Sequence, residues 1–263
     1  MLDVWPLLVR MYVKSQMEYR GAFLLDRVAQ IITYGAAYAA IWVLLDRFET
    51  LGGWRWPEMA LLLSFQLLAY ALGAALSFVQ FRDLENMVRL GQFDTLMVKP
   101  ISPWAYLTFS GLNIGYAGHI VLAVGLMAWA LTQADISWTV WNAGYFVLAL
   151  LSAAAVTAAL MTMIGVAALV LVQSSYLYFI FFGFWELTRY PLNIYPAALQ
   201  WLMVTLVPLG FMNYVPVAVF LGKDVAVLGA LAGPLSLAAG PLLVGLAMLH
   251  WRWSIRRYQG GGG

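Results

Sequence analysis

The charged residues of this chain leave six long stretches that contain no Asp, Glu, Lys or Arg. The lengths of these stretches constrain the fold more than any other feature. They cover residues 28–45, 59–81, 100–134, 136–185, 190–222 and 225–251. An α-helix needs about 20 predominantly apolar residues to cross the hydrocarbon core of a bilayer. Only 10% of the residues are charged, whereas soluble domains carry about a quarter. The sequence therefore predicts an all-α membrane protein with several spans in a single membrane domain.

Two of these stretches do not fit one straight helix each. The stretch 136–185 is too long for a single span, and the polar residues around Ser174 are where we divide it into two helices. The stretch 190–222 contains four prolines, which remove backbone hydrogen bonds inside a helix. Broken backbone at membrane depth is tolerated only where it is buried in protein or lines a cavity. We therefore predict a re-entrant helical hairpin over 191–222 and six transmembrane helices, at about 24–46, 58–81, 104–132, 140–172, 175–189 and 225–251.

The basic residues predict the orientation of these spans, since cytoplasmic loops are enriched in lysine and arginine. With six spans both termini lie on one side, and ten of the 14 bases fall on that side. The other side holds only Arg47, Arg55, Arg189 and Lys223. Both termini are therefore expected in the cytoplasm.

A polar segment at residues 82–103, which we name the polar island, separates the second and third predicted spans. Six charged residues lie between Arg82 and Lys99, so the segment must lie outside the hydrocarbon. Leu84, Met87 and Val88 recur at helical spacing and predict a surface helix whose apolar face is available to a partner. The alternative is a loop that packs against its own spans.

Helix-ending residues shape the rest of the polar island. Gly91 suits a helix C-terminal cap, and Asp94 suits the N-cap of a second short helix. Pro100 and Pro103 then end the helical segment. These positions predict two short helices across the cytoplasmic surface.

The two ends of the chain are predicted to lie outside the membrane domain, which covers 23–259. Arg10, Lys14 and Glu18 share one stripe of a helix over residues 1–22, which predicts an amphipathic helix in the plane of the interface. A simple lead-in to the first span is the alternative. Residues 260–263 are a flexible glycine tail.

A few polar residues stand within or beside the predicted spans. Intramembrane ionisable residues are often functional, and His119 lies deep in the third span. Its alternative role is that of a neutral imidazole bonded to a neighbouring helix or to Asn113. Glu186 and Arg189 stand three residues apart and can pair on one helix face, either as a solvated ion pair or as part of a gate.

Motifs of catalysis and of metal binding are missing from the sequence. The chain has no phosphate-binding loop, no zinc-protease motif and no nucleophile elbow. It has no cysteine and only two histidines, which argues against a metal site. We therefore expect no enzymatic activity and no cofactor bound by this chain.

Three segments resemble permease subunits of the type-2 ABC exporter family, in particular the six-span branch that is often encoded beside a separate ATPase. They are RLGQFDTLMVKPISP at 89–103, RYPLNIYP at 189–196 and VPLGFMNYVP at 207–216. The predicted topology and the Tyr258-Gln-Gly ending agree with this family, so the resemblance covers nearly the whole chain.

The resemblance implies roles for two groups of residues. The polar island would be the coupling helix that docks on a cytoplasmic ATPase, through Arg82, Leu84, Met87, Val88, Arg89, Gly91, Asp94, Lys99 and Pro100. The re-entrant hairpin would close the pathway on the outer side, with Glu186, Arg189, Pro191, Pro196, Pro208, Asn213, Tyr214 and Pro216 as gate residues. Asn113 and His119 remain a candidate polar site inside the membrane.

The resemblance also implies partners and a location. Two ATPase subunits per complex would bind the ATP and Mg²⁺, and a second permease, identical or paralogous, would complete the translocation pathway. The chain would lie in the bacterial cytoplasmic (inner) membrane, surrounded by lipid and without a nucleic-acid partner. The alternative functions are those of a secondary transporter or channel without an ATPase, an intramembrane enzyme and an assembly protein. A secondary transporter is expected to carry intramembrane charges, which this chain almost lacks.

Overall fold

The structure, a computed structural model, describes residues 20–110, 113–171 and 173–260, and the single positions 10, 14 and 18. Most of the predicted amphipathic helix at 1–22 therefore lies outside the described residues. Residues 261–263 of the predicted glycine tail lie outside them as well.

The described residues form helices and turns, without a β-strand. The α-helices are α1 (Arg20–Phe48), α2 (Trp56–Arg89), α3 (Gln92–Met97), α4 (Pro103–Ser110), α5 (Ala117–Gln133), α6 (Val140–Val166), α7 (Ala168–Leu171), α8 (Ser175–Leu187), α9 (Ala197–Thr205), α10 (Tyr214–Phe220) and α11 (Ala232–Ile255). Short 3₁₀ helices cover Ile114–Tyr116, Leu192–Ile194, Leu209–Met212 and Gly229–Leu231.

Helix α2 is the central element of the fold. It packs against α5 and α6, and α6 packs against α11. Its most apolar window is 83% buried, whereas that of α1 is only 17% buried. Glycines allow close approach of these helices, because a β-carbon at Gly165 would collide with Phe81 and one at Gly240 with Ser152. Small residues at contacts are typical of helices packed within membranes.

Among the described residues, five helical segments are long and apolar enough to cross a membrane, by length and composition. They cover Arg20–Phe48, Trp56–Arg89, Pro103–Gln133, Val140–Leu171 and Gly229–Ile255. The sequence predicted a sixth span at 175–189, but this region is the 13-residue helix α8. At 1.5 Å per residue it is about 20 Å long, shorter than a hydrocarbon core of about 30 Å. The length of α8 therefore does not support a crossing of the bilayer by this helix alone.

The polar island also differs from its predicted layout. The first of the two predicted surface helices is the end of α2, which continues without interruption to Arg89. The physical reason is the absence of glycine and proline between Phe81 and Leu90, so nothing ends the helix where the charges begin. Only α3 is a separate short helix, six residues long.

Candidate functional site

The turn between α2 and α3 depends on Gly91. Its φ of 66° lies in the left-handed region, which glycine adopts without the penalty of a β-carbon. The amides of Leu90 and Gly91 donate to the carbonyls of Asn86 and Val88 at 2.9 and 3.2 Å. Gly91 therefore ends α2 in the manner of a glycine C-terminal cap and directs the chain into α3.

The inner face of the polar island packs against the end of α11. Phe93 and Leu96 are buried in an apolar cluster that also contains Trp251. The ring of Phe93 lies 5.0 Å from that of Tyr258 and 6.3 Å from that of Trp251. Aromatic contacts with Trp251 and Tyr258 therefore fix the buried face of α3.

The prediction of an exposed apolar face is wrong for Leu84 and Val88. Both are buried in this same cluster, at 0% and 8% exposure, and Met87 packs against its edge. Their helical spacing marks the face of α2 that turns toward the protein. In this respect the polar island behaves like the alternative, a segment packed against its own helices.

A different set of apolar side chains is exposed on the polar island. Leu90 is 69% exposed, Met97 43% and Val98 83%. The exposed bases Arg89 and Lys99 lie beside them in sequence. The surface of the polar island is therefore an apolar tip with basic neighbours, which suits contact with another protein better than contact with water.

Arg82, Lys99 and Asp94 of the polar island have identifiable neighbours. The guanidinium of Arg82 lies 5.6 Å from the ring of Phe78, and the ammonium of Lys99 lies 5.6 Å from the ring of Tyr106. Asp94 does not cap α3, since Gly91 occupies the N-cap and no side-chain bond is made there. The Asp94 carboxylate instead lies near Gly260 at the end of the chain.

The Tyr258 hydroxyl is coupled to the same carboxylate. Burial and the nearby Asp94 raise the pKa of Tyr258 to about 12, although no hydrogen bond of ordinary geometry joins the two side chains. The Asp94 carboxylate therefore lies close to the segment that follows α11.

An open cleft of about 650 Å³ adjoins the polar island. Its lining includes polar groups of α2 and the first residues of α3 and α8, together with Tyr106, namely Gln80, Arg82, Asp83, Glu85, Asn86, Gln92, Tyr106 and Ser175. The cleft lies between the end of α2 and the start of α8, and Glu85 reaches across that gap.

Glu85 caps helix α8 from the neighbouring helix. Its Oε2 atom accepts hydrogen bonds from the amides of Ser174 and Ser175, at 2.8 and 2.7 Å. The side chain of Ser174 makes no such cap itself. A carboxylate at a helix N-terminus satisfies otherwise unpaired amides and interacts favourably with the helix dipole. Glu85 is 9% exposed, so this bond is shielded from water.

The other end of α8 is also bonded to α2. The fully buried Gln66 donates from Nε2 to the Trp185 carbonyl at 3.2 Å and to the Thr188 hydroxyl at 2.5 Å. Helix α2 therefore holds both ends of α8, through Glu85 and Gln66. We name Glu85, Gln66 and their bonds to α8 the α2–α8 clamp.

The proline-rich segment is attached to this clamp through Asn213. Its side-chain amide donates to the Thr188 carbonyl at 2.6 Å, and its Oδ1 atom accepts from the Tyr214 amide at 2.7 Å. Asn213 is fully buried. It therefore satisfies backbone groups that the break in the helix leaves without partners.

The four predicted prolines lie at helix starts. Pro191 and Pro208 precede 3₁₀ helices, Pro196 precedes α9, and Pro216 lies in the first turn of α10. These positions tolerate proline because their amides have no partner within the helix. The segment thus consists of short helices, none of them long enough to span a bilayer.

Glu186 and Arg189 form the predicted ion pair, with 2.9 Å between the carboxylate and the guanidinium. The Arg189 guanidinium also lies 5.6 Å from the ring of Trp185. The geometry fits both of the roles considered for this pair, a solvated ion pair and a gate element. Tyr214 is buried, with its ring 5.9 Å from that of Trp54.

His119 lies among three tyrosine rings. The rings of Tyr34, Tyr116 and Tyr70 lie 4.8, 5.4 and 6.0 Å from the imidazole. Its Nδ1 atom has no hydrogen-bond partner among the described residues. Asn113 instead accepts from the Gly115 amide at 2.7 Å. No hydrogen bond between described residues therefore joins His119 to Asn113.

We expect Asn213→Ala to lower the free energy of unfolding by about 1–3 kcal/mol, because it leaves the buried Thr188 carbonyl and Tyr214 amide unpaired. Asn193→Ala is the matched control. Asn193 is exposed and makes a 2.7 Å bond to the Gly52 carbonyl. Denaturation of both variants in one detergent, followed by circular dichroism, measures the difference. Equal losses would contradict the structural role of Asn213.

Sequence reasoning missed Glu85, Gln66 and Thr188 as site residues. A signal for Glu85 was available, since Phe81, Leu84, Glu85 and Val88 follow the i, i+3, i+4, i+7 pattern of one helix face. A carboxylate on a buried face needs a partner. Gln66 is likewise an amide side chain in the middle of the apolar stretch 59–81.

The comparisons with known proteins agree with this architecture. A family model described as "ABC-2 family transporter protein" matches residues 31–262. The match covers all the helices from α2 to α11 and most of α1. No curated protein and no solved structure matches the chain.

Proposed function

The chain belongs to the ABC-2 transporter family, and we propose that it is the membrane-spanning subunit of an ATP-driven exporter. Family membership and the long apolar helices make it a multi-pass membrane protein with the role of a transporter subunit. The finer assignment is to a complex in which two ATPase subunits act on two membrane subunits. The second membrane subunit is either a second copy or a paralogue.

The observation that carries this proposal is the exposed apolar tip of the polar island. Leu90, Met97 and Val98 lie uncovered at the two ends of α3, and the opposite face of this helix is buried through Phe93 and Leu96. A rigid, partly apolar projection outside the apolar spans suits a groove on a soluble partner. We assign this projection to the docking of a cytoplasmic ATPase, which would bind ATP and Mg²⁺ in place of this chain.

The α2–α8 clamp supports a route from the docking surface to the outer segment. A displacement of the polar island moves the end of α2, and Glu85 connects that end to α8. At the far end of α8, Thr188 connects to Asn213 and the proline-rich segment. Coupling of this kind requires two conformations that the nucleotide state stabilises differently. In this proposal the proline-rich segment closes the pathway on the outer side.

The uncovered face of α1 supports a second membrane subunit. Leu24, Leu25 and Ile32 are each more than 60% exposed, and the helix contributes little to the core. Lipid or a second permease would cover this face. The proposed location is the cytoplasmic membrane of a bacterium, with both termini inside.

We expect Val98→Asp to reduce the amount of ATPase that co-purifies with the chain at least tenfold, which corresponds to about 1.4 kcal/mol of binding free energy. An aspartate buried at the interface without a partner accounts for the loss. A candidate ABC ATPase subunit from the same genome is co-expressed with the chain, and the retained amount is measured after affinity capture.

Val140→Asp is the matched control for this experiment. Val140 is 88% exposed and Val98 83% exposed, but Val140 begins α6 on the side that we assign to the exterior. Its aspartate variant should retain the ATPase. Failure of the unmodified chain to capture any ATPase would favour a secondary transporter or channel, and equal loss in both variants would refute docking at the polar island.

A further inference from the structure

One face of α11 changes from leucine to arginine along its length. Leu242, Leu246 and Leu249 are 62%, 51% and 60% exposed, and Trp253 is 45% exposed. Arg252 and Arg256 follow on the same face, because residues at this spacing fall within a sector of about 120° on an α-helix. Together with Arg257, these residues form what we name the α11 stripe.

The three arginines of the α11 stripe are exposed and without acidic partners. None of them forms an ion pair with any described residue, and residues 225–260 contain no aspartate or glutamate. The Arg257 guanidinium lies 4.2 Å from the centre of the Trp253 ring. Leu249, Trp253 and the three arginines line an open groove of about 470 Å³. The groove thus concentrates positive charge directly beside apolar surface.

The α11 stripe faces away from the docking surface of the polar island. The opposite face of α11 carries Trp251, which packs against Phe93 and Trp104 at ring distances of 6.3 and 5.3 Å. A protein bound to the polar island therefore does not neutralise the α11 stripe. A second copy of this chain is a poor occupant as well, because it would bring three further unpaired arginines to the same place.

We propose that the α11 stripe binds an anionic phospholipid. The phosphate lies in the groove between Arg252, Arg256 and Arg257, which supply planar donors suited to phosphate oxygens. The Trp253 ring lies at the level of the headgroup, as interfacial tryptophans do. One acyl chain follows Leu249, Leu246 and Leu242 into the hydrocarbon. This site does not depend on the ATPase partner and is independent of the proposed export function.

Native mass spectrometry of the purified chain tests the proposal. The chain is equilibrated with an equimolar mixture of phosphatidylglycerol and phosphatidylcholine, and the lipids that remain bound are counted. Basic residues near an anionic membrane surface each favour association by roughly fivefold, so we expect phosphatidylglycerol to be enriched at least about fivefold. The triple variant R252Q/R256Q/R257Q should bind the two lipids about equally.

Three comparisons separate a lipid site from simpler explanations. The variant R20Q/R47Q/R89Q loses the same net charge at other exposed positions and should keep the preference. The variant R252K/R256K/R257K should keep most of it, and L242N/L246N/L249N should weaken lipid retention although its charge is unchanged. Circular dichroism and gel filtration establish that each variant is folded.

Several results would overturn the proposal. These are equal binding of the two lipids by the unmodified chain, an equal loss in R20Q/R47Q/R89Q, and no effect of the leucine substitutions. Displacement of phosphatidylglycerol by millimolar inorganic phosphate would show a site for small anions instead of a lipid site. Retention of phosphatidylglycerol in the presence of phosphate supports the lipid.

Discussion

Gly240→Ala is expected to lower the free energy of unfolding by about 1–3 kcal/mol, the usual cost of inserting a methyl group into a closely packed contact. A β-carbon at this position would collide with the carbonyl oxygen and α-carbon of Ser152 on α6. The Gly240 amide donates to the Ser152 hydroxyl at 3.0 Å, and that hydroxyl donates to the Ser236 carbonyl at 2.7 Å. Alanine therefore forces apart two helices that are also joined by buried hydrogen bonds.

Gly245→Ala on the same helix is the matched control. A β-carbon there meets no atom within 4 Å, so the substitution leaves the packing unchanged. Alanine is the better helix former by about 1 kcal/mol, and the control should be neutral or slightly more stable. Thermal denaturation of both variants in one detergent measures the difference. Equal stability of the two would contradict the close contact between α6 and α11.

The sequence predicted the helical class and the location of the polar island but not where the second helix ends. Charge begins at Arg82, and we placed the end of the second span there. The helix continues instead to the first helix-ending residue after Arg82, which is Gly91. A single helix of 34 residues therefore carries both the buried core of the protein and the start of the proposed docking surface.

Periodicity identified a face of α2 but not what covers it. Leu84 and Val88 have the spacing of an apolar helix face, which a partner protein and the protein's own core would satisfy equally well. The structure buries them in one apolar cluster with Phe93 and Trp251, and Trp251 is far from both in sequence. Contacts between distant segments depend on tertiary structure, and the composition of one segment does not reveal them.

Proline placement was more informative than apolar length in the segment that follows α8. The prolines predicted broken helices, and short helices are found there. The sequence divided 136–185 at its serines and predicted a helix at 175–189, which nearly coincides with α8 at Ser175–Leu187. Its interpretation as a full span is what the length of α8 does not support. Tertiary partners define α8, since its N-terminal amides are bonded to Glu85 and its C-terminal carbonyl to Gln66.

Glu85→Ala is expected to release the first turn of α8 and to uncouple ATP hydrolysis from export. The substitution removes the acceptor of the Ser174 and Ser175 amides, and bonds to a charged group are worth about 1.5–3 kcal/mol. Amide hydrogen exchange at Ser174 and Ser175 should rise by about tenfold or more, since 1.4 kcal/mol corresponds to a factor of ten in an equilibrium. This readout needs no ATPase.

Glu85→Gln and Asp83→Ala complete this experiment. Glutamine keeps an acceptor oxygen but loses the charge, so its effect should be intermediate. Asp83 is exposed two residues before Glu85, on a different face of α2, and accepts from the Asn86 side chain at 3.1 Å, so Asp83→Ala should leave exchange at Ser174 and Ser175 unchanged. With the ATPase present, Glu85→Ala should retain ATP hydrolysis while export per ATP falls. Faster exchange with normal export would confirm the cap but exclude the α2–α8 clamp from coupling, since the structural and functional roles of Glu85 are then separate.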